Sequence, residues 1–198
     1  MSKVPDTSSD VISSSEIADR YATIAAGFSA RIEQCPPDGW SLSTPCPDWT
    51  VRGILGHVVG VHRRVLATLW GGEAEAPGLD DDLDAAWRDV TEALQAALRD
   101  PAQATTSVTT RYGEMPFEDL VSRMICSDTL VHTWDIARAT GQDERLDPAV
   151  VEIAWRWMEP AGDRLRVAGG FGPAIAAPVD ADTQTQLLCF LGRDAATT

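Results

Sequence analysis

The sequence lacks the long apolar runs that membrane proteins need. No stretch of its 198 residues approaches the roughly 18 apolar residues of a membrane-spanning helix. The N-terminal segment MSKVPDTSSDVISSS carries no apolar stretch of signal-peptide length. We therefore expect a cytoplasmic protein without a membrane partner.

Positive charge is also scarce. The chain has 16 Lys and Arg against 30 Asp and Glu, a formal net charge of −14. Such a surface repels nucleic-acid backbones and anionic lipid, so we expect no nucleic-acid partner. The sequence contains no glycine-rich phosphate loop, nucleophile elbow or dinucleotide fingerprint.

Paired cysteines are missing as well. The four cysteines lie far apart, at Cys35, Cys46, Cys126 and Cys189. Without a C-x-x-C pair the chain can form neither a zinc knuckle nor a thioredoxin motif, and a reducing compartment is the simplest interpretation. We expect each cysteine to be a small buried hydrophobic residue without a functional role.

The length and composition fit one globular domain. Hydrophobic residues make up 44% and charged residues 23% of the chain, values that are typical of soluble domains. Residues 1–12 are polar and lack periodicity, so we predict a disordered N-terminus followed by a single domain over 13–198.

Helix signals recur along this domain. A capping box of Ser13 and Glu16 opens a first helix, and Thr50 caps a second that ends at Gly71. The proline-rich segment between them predicts a structured loop. The acidic run 80–82 predicts the start of a third helix, and a short extended segment is predicted at 103–113. A fourth helix has Pro116 in its first turn and ends at Gly141, and a fifth begins at Asp147 and Pro148. An irregular segment and a last short helix in TQTQLLCFLG follow.

The fourth helix mixes apolar and ionisable residues on one face. Seven residues spaced three or four apart form this face: Phe117, Val121, Met124, Asp128, His132, Asp135 and Ala139. Three of the seven are ionisable, and unpaired charges on a buried face cost several kcal/mol. This polar cluster must therefore be bound, paired or hydrated.

The three histidines limit the candidates for a metal site. Asp128 and His132 have the four-residue spacing that directs two donors at one ion, although the same spacing also occurs in plain salt bridges. On the second helix His62 lies about 140° around from His57, so we expect His57 to point inward and His62 outward. A core histidine bonded to a carbonyl is the alternative for His57. We interpret Asp135 as an orienting or helix-pairing carboxylate.

Three segments carry a resemblance to a known family. TPCPDWTVRGILGHVVGVHRR, CSDTLVHTWDIARATG and FGPAIAAPVDADTQTQLLCFLGRD resemble DinB-type metal-binding proteins of actinobacteria related to the N-terminal domain of mycothiol-dependent maleylpyruvate isomerase. The resemblance implies an all-α fold, a DinB-like four-helix bundle in up-down-down-up order, here with extra short C-terminal helices. It also implies metal ligands at His57, Asp128 and His132, where the family isomerase has glutamate at the position of Asp128.

The resemblance further implies a function. Two imidazoles and one carboxylate form the ligand set of catalytic zinc with one open position, and another divalent metal such as nickel would also suit them. Family chemistry would place a low-molecular-weight thiol, mycothiol, on the metal as the nucleophile. The first hypothesis is therefore a mycothiol-dependent transferase or isomerase whose partners are a small-molecule thiol and an electrophile. The isomerase has an additional domain that contributes to its active site, so its own reaction does not transfer directly.

Two other hypotheses stay open. In a metal-dependent hydrolase the open position would hold water, and a carboxylate such as Asp135 would accept its proton. The third hypothesis is a non-catalytic module that binds metal or ligand, although three protein ligands disfavour a purely structural zinc. The sequence also leaves a homodimer open.

Overall fold

The structure is helical apart from one β-hairpin. The computed structural model describes residues 13–47, 49–78, 81–110, 113–166 and 171–196, so the predicted disorder of 1–12 and the first residue of the acidic run 80–82 lie outside the described residues. The helices are α1 (Ser14–Glu33), α2 (Val51–Trp70), α3 (Leu83–Arg99), α4 (Pro101–Ala104), α5 (Phe117–Leu120), α6 (Cys126–Thr140), α7 (Pro148–Ala161) and α8 (Thr183–Phe190).

Four of these helices form the central bundle. Helices α1 and α2 each pack against both α3 and α6, which closes a ring around one hydrophobic core. Tyr21, Leu55, Leu94 and Trp134, one from each helix, are all at most 1% exposed. The predicted all-α four-helix bundle is confirmed.

Several predicted helix starts are also confirmed. Ser13 and Glu16 form the capping box of α1, and the Thr50 hydroxyl accepts a hydrogen bond from Gly53 N at the start of α2. Asp147 caps α7 in the same way, with its carboxylate accepting from two backbone amides. These side chains satisfy amides that have no partner within the helix, which is why the sequence marks the boundaries.

The predicted extended segment at 103–113 is wrong in its bounds. Strands β1 (Ser107–Thr110) and β2 (Gly113–Pro116) pair antiparallel, and residues 101–104 belong to α4. Pro116 ends β2 instead of entering the first turn of a helix. None of the four residues of β2 is buried, so the strand lacks the alternation of apolar and polar residues that reveals a strand in sequence.

A π-helical turn interrupts the predicted fourth helix. Residues Val121–Ile125 take this wider turn between α5 and α6, just before Asp128. Ser122 within it accepts a hydrogen bond from the buried Arg20 of α1. A π turn inserts an extra residue into the helical repeat, so the single stripe from 117 to 139 does not run on unbroken.

The C-terminal part of the chain covers one side of the bundle. Helix α7 packs against α6 and α8, and the segment 171–182 between the last two helices has no regular secondary structure. Among the described helices, none is long and apolar enough to cross a membrane.

Candidate metal centre

His57 of α2 meets Asp128 and His132 of α6 where these helices pack. His57 Nε2 lies 3.1 Å from Asp128 Oδ1, and His132 Nε2 lies 3.7 Å from the same oxygen. One donor atom of each side chain falls within 4.8 Å of the others. The fold thus brings together the three residues that the family resemblance marked as ligands.

The three donors fit a divalent ion. Tetrahedral zinc keeps neighbouring nitrogen and oxygen ligands about 3.4 Å apart, close to the separations of 3.1 and 3.7 Å around Asp128 Oδ1. Asp128 Oδ2 is buried and has no hydrogen-bond partner among the described residues. A buried carboxylate oxygen without a partner is costly, and a cation at this point would supply the missing interaction.

Asp128 is an anion at neutral pH. Burial alone would raise the pKa of the carboxyl group, but electrostatic attraction to the neighbouring His132 imidazole and the hydrogen bond from His57 outweigh burial and leave the pKa below its ordinary value. The donor set therefore joins one negative charge to two imidazoles, the combination that neutralises much of a divalent charge while leaving the centre cationic.

A second carboxylate orients His132. His132 Nδ1 donates a hydrogen bond to Asp135 Oδ2 at 2.9 Å, which leaves the Nε2 lone pair free for a metal. Arg193 Nε and Nη2 donate to the two oxygens of Asp135 at 3.2 and 2.9 Å. Burial would raise the pKa of Asp135, but these partners lower it overall. Because Asp135 is 0% exposed and both of its oxygens are engaged, its position suits an orienting group.

Trp49 covers the centre from the loop before α2. Its ring centroid lies 4.3 Å from that of His57 and 5.7 Å from that of His132, nearly parallel to the latter. The loop is held by hydrogen bonds from Thr44 to Trp49 O through both its amide and its hydroxyl. Trp49 therefore covers one side of both histidines, while the side chains of His57 and Asp128 stay 25% and 22% exposed.

Trp49 and Arg193 were not among the predicted site residues. Trp49 directly precedes Thr50, the cap of the helix that carries His57. This position in the sequence could have indicated that Trp49 lies near the site. Arg193 lies 58 positions after its partner Asp135 and has no local signal in the sequence.

The predicted orientation of His62 is wrong. His62 is 0% exposed and packs against Tyr21 and Trp87, with its Nδ1 bonded to Val58 O at 2.8 Å. His57, predicted to point inward, keeps 25% of its side chain exposed. Helix α2 is covered on one side by α6 and on another by α3, so a side chain that points away from His57 can still be buried, as that of His62 is.

The cysteines also depart in part from the prediction. Cys126 and Cys189 are buried, whereas Cys35 and Cys46 are half-buried, and all four are free thiols. Cys46 lies in the loop before α2, and the positive charge of Arg193 acts on its thiol. Burial raises the pKa of its thiol more than Arg193 lowers it, so Cys46 is protonated at neutral pH.

Comparison with known proteins matches this chain to one family. The family model of the mycothiol maleylpyruvate isomerase N-terminal domain matches residues 21–137, a span that contains all three candidate ligands and ends before Arg193. Two uncharacterised proteins of Mycobacterium tuberculosis, MT0763 of strain CDC 1551 and Rv0738 of strain H37Rv, are each 30% identical over 169 residues. Each alignment covers 84% of this chain and 91% of the relative. No solved structure matches significantly.

Proposed function

Because the chain belongs to the mycothiol maleylpyruvate isomerase N-terminal domain family, we propose that it is a zinc protein that transfers or isomerises small electrophiles with a low-molecular-weight thiol such as mycothiol. His57, Asp128 and His132 hold the metal. The observation that carries this proposal is the Asp128 carboxylate, which faces both histidines and has one buried oxygen without a described partner.

The metal would lower the pKa of an incoming thiol and so supply a nucleophile at neutral pH. The chain's own residues prepare the site for this chemistry. Asp135, held by Arg193, keeps the His132 proton on Nδ1. Trp49 shields the donors on one side, and a low local dielectric strengthens the attraction between a cationic centre and an incoming anion.

The proposal assigns Asp135 to orientation of His132. The hydrolase alternative needs a carboxylate that can accept a proton from water, whereas both oxygens of Asp135 already accept hydrogen bonds. Its partners lower the pKa of Asp135, which also makes it a weak base. These contacts favour the thiol-dependent function over the hydrolase.

The proposal includes a cytoplasmic location. All four cysteines are free, and free thiols persist in reducing compartments. The partners proposed are a small-molecule thiol and an electrophile, without nucleic acid or membrane.

Metal analysis of protein purified without chelator or affinity-tag nickel tests the ligand assignment. We expect one zinc per chain in the wild type, and loss of metal in His57→Ala and His132→Ala. His62→Gln is the control, because His62 faces Tyr21 and Trp87 and not the three donors. Full metal content in both alanine variants would overturn the assignment, as would equal loss in the control.

Cobalt substitution tests the thiol. A thiolate on cobalt adds a sulfur-to-metal charge-transfer band that water and carboxylate do not produce. We expect the band on addition of mycothiol, with tighter binding as the pH rises toward the free thiol pKa, since binding releases a proton. No band at saturating mycothiol, in protein shown to hold cobalt, would remove the thiol-dependent function and leave the hydrolase or the binding module.

A further inference from the structure

A groove of about 440 Å³ runs along α2 beside the metal centre. His57 lines it together with Gly56, Gly60 and Arg64 of the same helix. The opposite wall includes Pro77, in the chain before α3, and Leu83, the first residue of α3. Its volume lies within the range of roughly 300–1,000 Å³ of small-molecule sites. A ligand in this groove would reach the candidate metal ligand His57 directly.

Glycines keep the floor of the groove open. A Cβ atom at Gly56 would lie 3.9 Å from Leu83 Cδ1, and one at Gly60 would lie 3.3 Å from Arg64 Nη1 and 3.4 Å from Pro77 Cδ. Side chains longer than alanine would therefore fill this space. Glycine in a helix interior lowers stability by up to about 1 kcal/mol relative to alanine. Gly56 and Gly60 therefore do not serve helix formation, and the open space above them is what they provide.

Two arginines line this groove: Arg52 donates a hydrogen bond to the carbonyl oxygen of Asp81, and Arg64 places its positive charge in the groove beside His57. The candidate carboxylate partner is Arg64. It follows His57 by seven residues, two turns of helix, and so projects from the same face. Arg64 is exposed, and it makes no hydrogen bond or ion pair among the described residues. No acidic side chain is among the described residues that line the groove, although the chain carries a net charge of −14.

We infer that this groove binds the body of an anionic ligand, whose carboxylate pairs with Arg64 while its reacting group faces His57. This inference rests on the proposed function and adds the ligand class that the site selects. A guanidinium group binds a carboxylate through two parallel hydrogen bonds, so Arg64 provides both attraction and orientation.

Helix geometry sets the length of the ligand. Gly60 lies about 4.5 Å and the Arg64 backbone about 10.5 Å along the α2 axis from His57. The Arg64 guanidinium folds back toward Gly60, because its Nη1 lies 3.3 Å from a Cβ built there. The carboxylate and the reacting group should therefore be separated by about 5–10 Å.

Two thiols of equal length test this inference on cobalt-substituted protein. Mercaptohexanoate carries a terminal carboxylate and mercaptohexanol a neutral hydroxyl at the same distance from sulfur. From titration of the charge-transfer band we expect mercaptohexanoate to bind about tenfold more tightly to the wild type. Arg64→Gln should abolish the preference, whereas Arg156→Gln, an exposed arginine of α7 outside the groove, should retain it.

A shape test is independent of charge. Gly56→Met should fill the groove and weaken the binding of both thiols, and Gly27→Met in α1, where a Cβ has open space, should weaken the binding of neither.

Equal affinities for both thiols in the wild type, or a carboxylate preference that persists in Arg64→Gln, would overturn the groove assignment and leave the thiol function intact. If neither thiol produces the band, the thiol function fails, and calorimetry with the same thiols decides the groove: mercaptohexanoate binding that needs Arg64 supports it, and no such binding overturns it.

Discussion

At the scale of single residues, the buried ion pair of Asp135 and Arg193 is the support of the candidate metal centre. Asp135 is 0% and Arg193 5% exposed, and the carboxylate also accepts the Nδ1 proton of His132. An ion pair buried to this degree needs good geometry to offset desolvation, and removal of one partner is strongly destabilising.

The first residue-scale prediction concerns Asp135→Asn. The amide keeps the shape of the carboxylate but removes the charge that fixes the His132 tautomer, so we expect metal affinity to fall by about 10–100-fold. Competition with a chromogenic chelator measures this affinity. Asp143→Asn is the matched control, because Asp143 pairs with Arg145 on the surface. Unchanged affinity in Asp135→Asn would contradict the orienting role.

The second residue-scale prediction concerns the pH dependence of stability. Burial lowers the pKa of His62 to about 4 from its ordinary 6.5. Below pH 6.5 the unfolded chain therefore binds a proton that the folded chain does not, and stability falls as the pH drops toward 4. The loss attributable to His62 between pH 7 and pH 5 should be about 2 kcal/mol.

Urea unfolding of the wild type and His62→Gln at both pH values, each with chelator present, isolates this contribution. The other titrating groups are common to both proteins, so the glutamine variant should lose less stability on acidification. Identical losses in the two proteins would show that His62 does not titrate as its burial requires.

At the scale of elements, the turn after α8 positions Arg193. Gly192 adopts a φ of 83°, a conformation that side chains disfavour. A Cβ at this position would also lie 2.9 Å from the carbonyl oxygen of Pro173. The segment before α8 and the turn after it can therefore pack this closely only because residue 192 is glycine.

Gly192→Ala should destabilise the protein by about 2–3 kcal/mol, because strain and a backbone clash act together. Gly141→Ala, at the end of α6 with a φ of 69° but open space around its Cβ, should cost about 1 kcal/mol. Denaturant midpoints of both variants measure the difference. Equal costs would mean that the contact with Pro173 relaxes freely.

At the scale of the whole molecule, the candidate metal centre joins α2 to α6 across the bundle. The histidine of one helix and the donors of the other are held together in the folded chain only. An ion that binds the folded state and not the unfolded state stabilises folding by mass action, by about 4 kcal/mol at a thousandfold excess over its Kd.

Removal of the metal should therefore lower the thermal midpoint by roughly 10 °C, since each kcal/mol shifts Tm by about 2–4 °C in a domain of this size. Scanning calorimetry with and without chelator measures the shift. His132→Ala should respond to neither zinc nor chelator. A chelator effect of the same size in that variant would place the stabilising ion elsewhere.

The residue patterns alone were sufficient to predict most of the helices, and the family resemblance implied how they pack. Caps such as Ser13 and Thr50 mark helix starts through their own side chains, and apolar spacing records which face each helix buries. Caps and apolar spacing depend on residues close together in the chain, so both can be recognised from the sequence. Strand β2 and the π turn at Val121–Ile125 were missed, because neither produces a distinct spacing of apolar residues, whereas β1 lies within the predicted extended segment.

The sequence by itself therefore determined most of the helices, and its resemblance to a known family implied the four-helix bundle and three candidate ligands. Only the tertiary structure decided what surrounds those ligands: that Arg193 neutralises Asp135, that Trp49 covers the histidines and that His62 lies in the core. Helical spacing fixes the angle between two side chains on one helix but carries no information on which neighbouring helix covers each angle. Contacts between distant segments arise only when the whole chain packs. The candidate ligands could therefore be located in the sequence, whereas the contacts that Arg193 and Trp49 make with them could not.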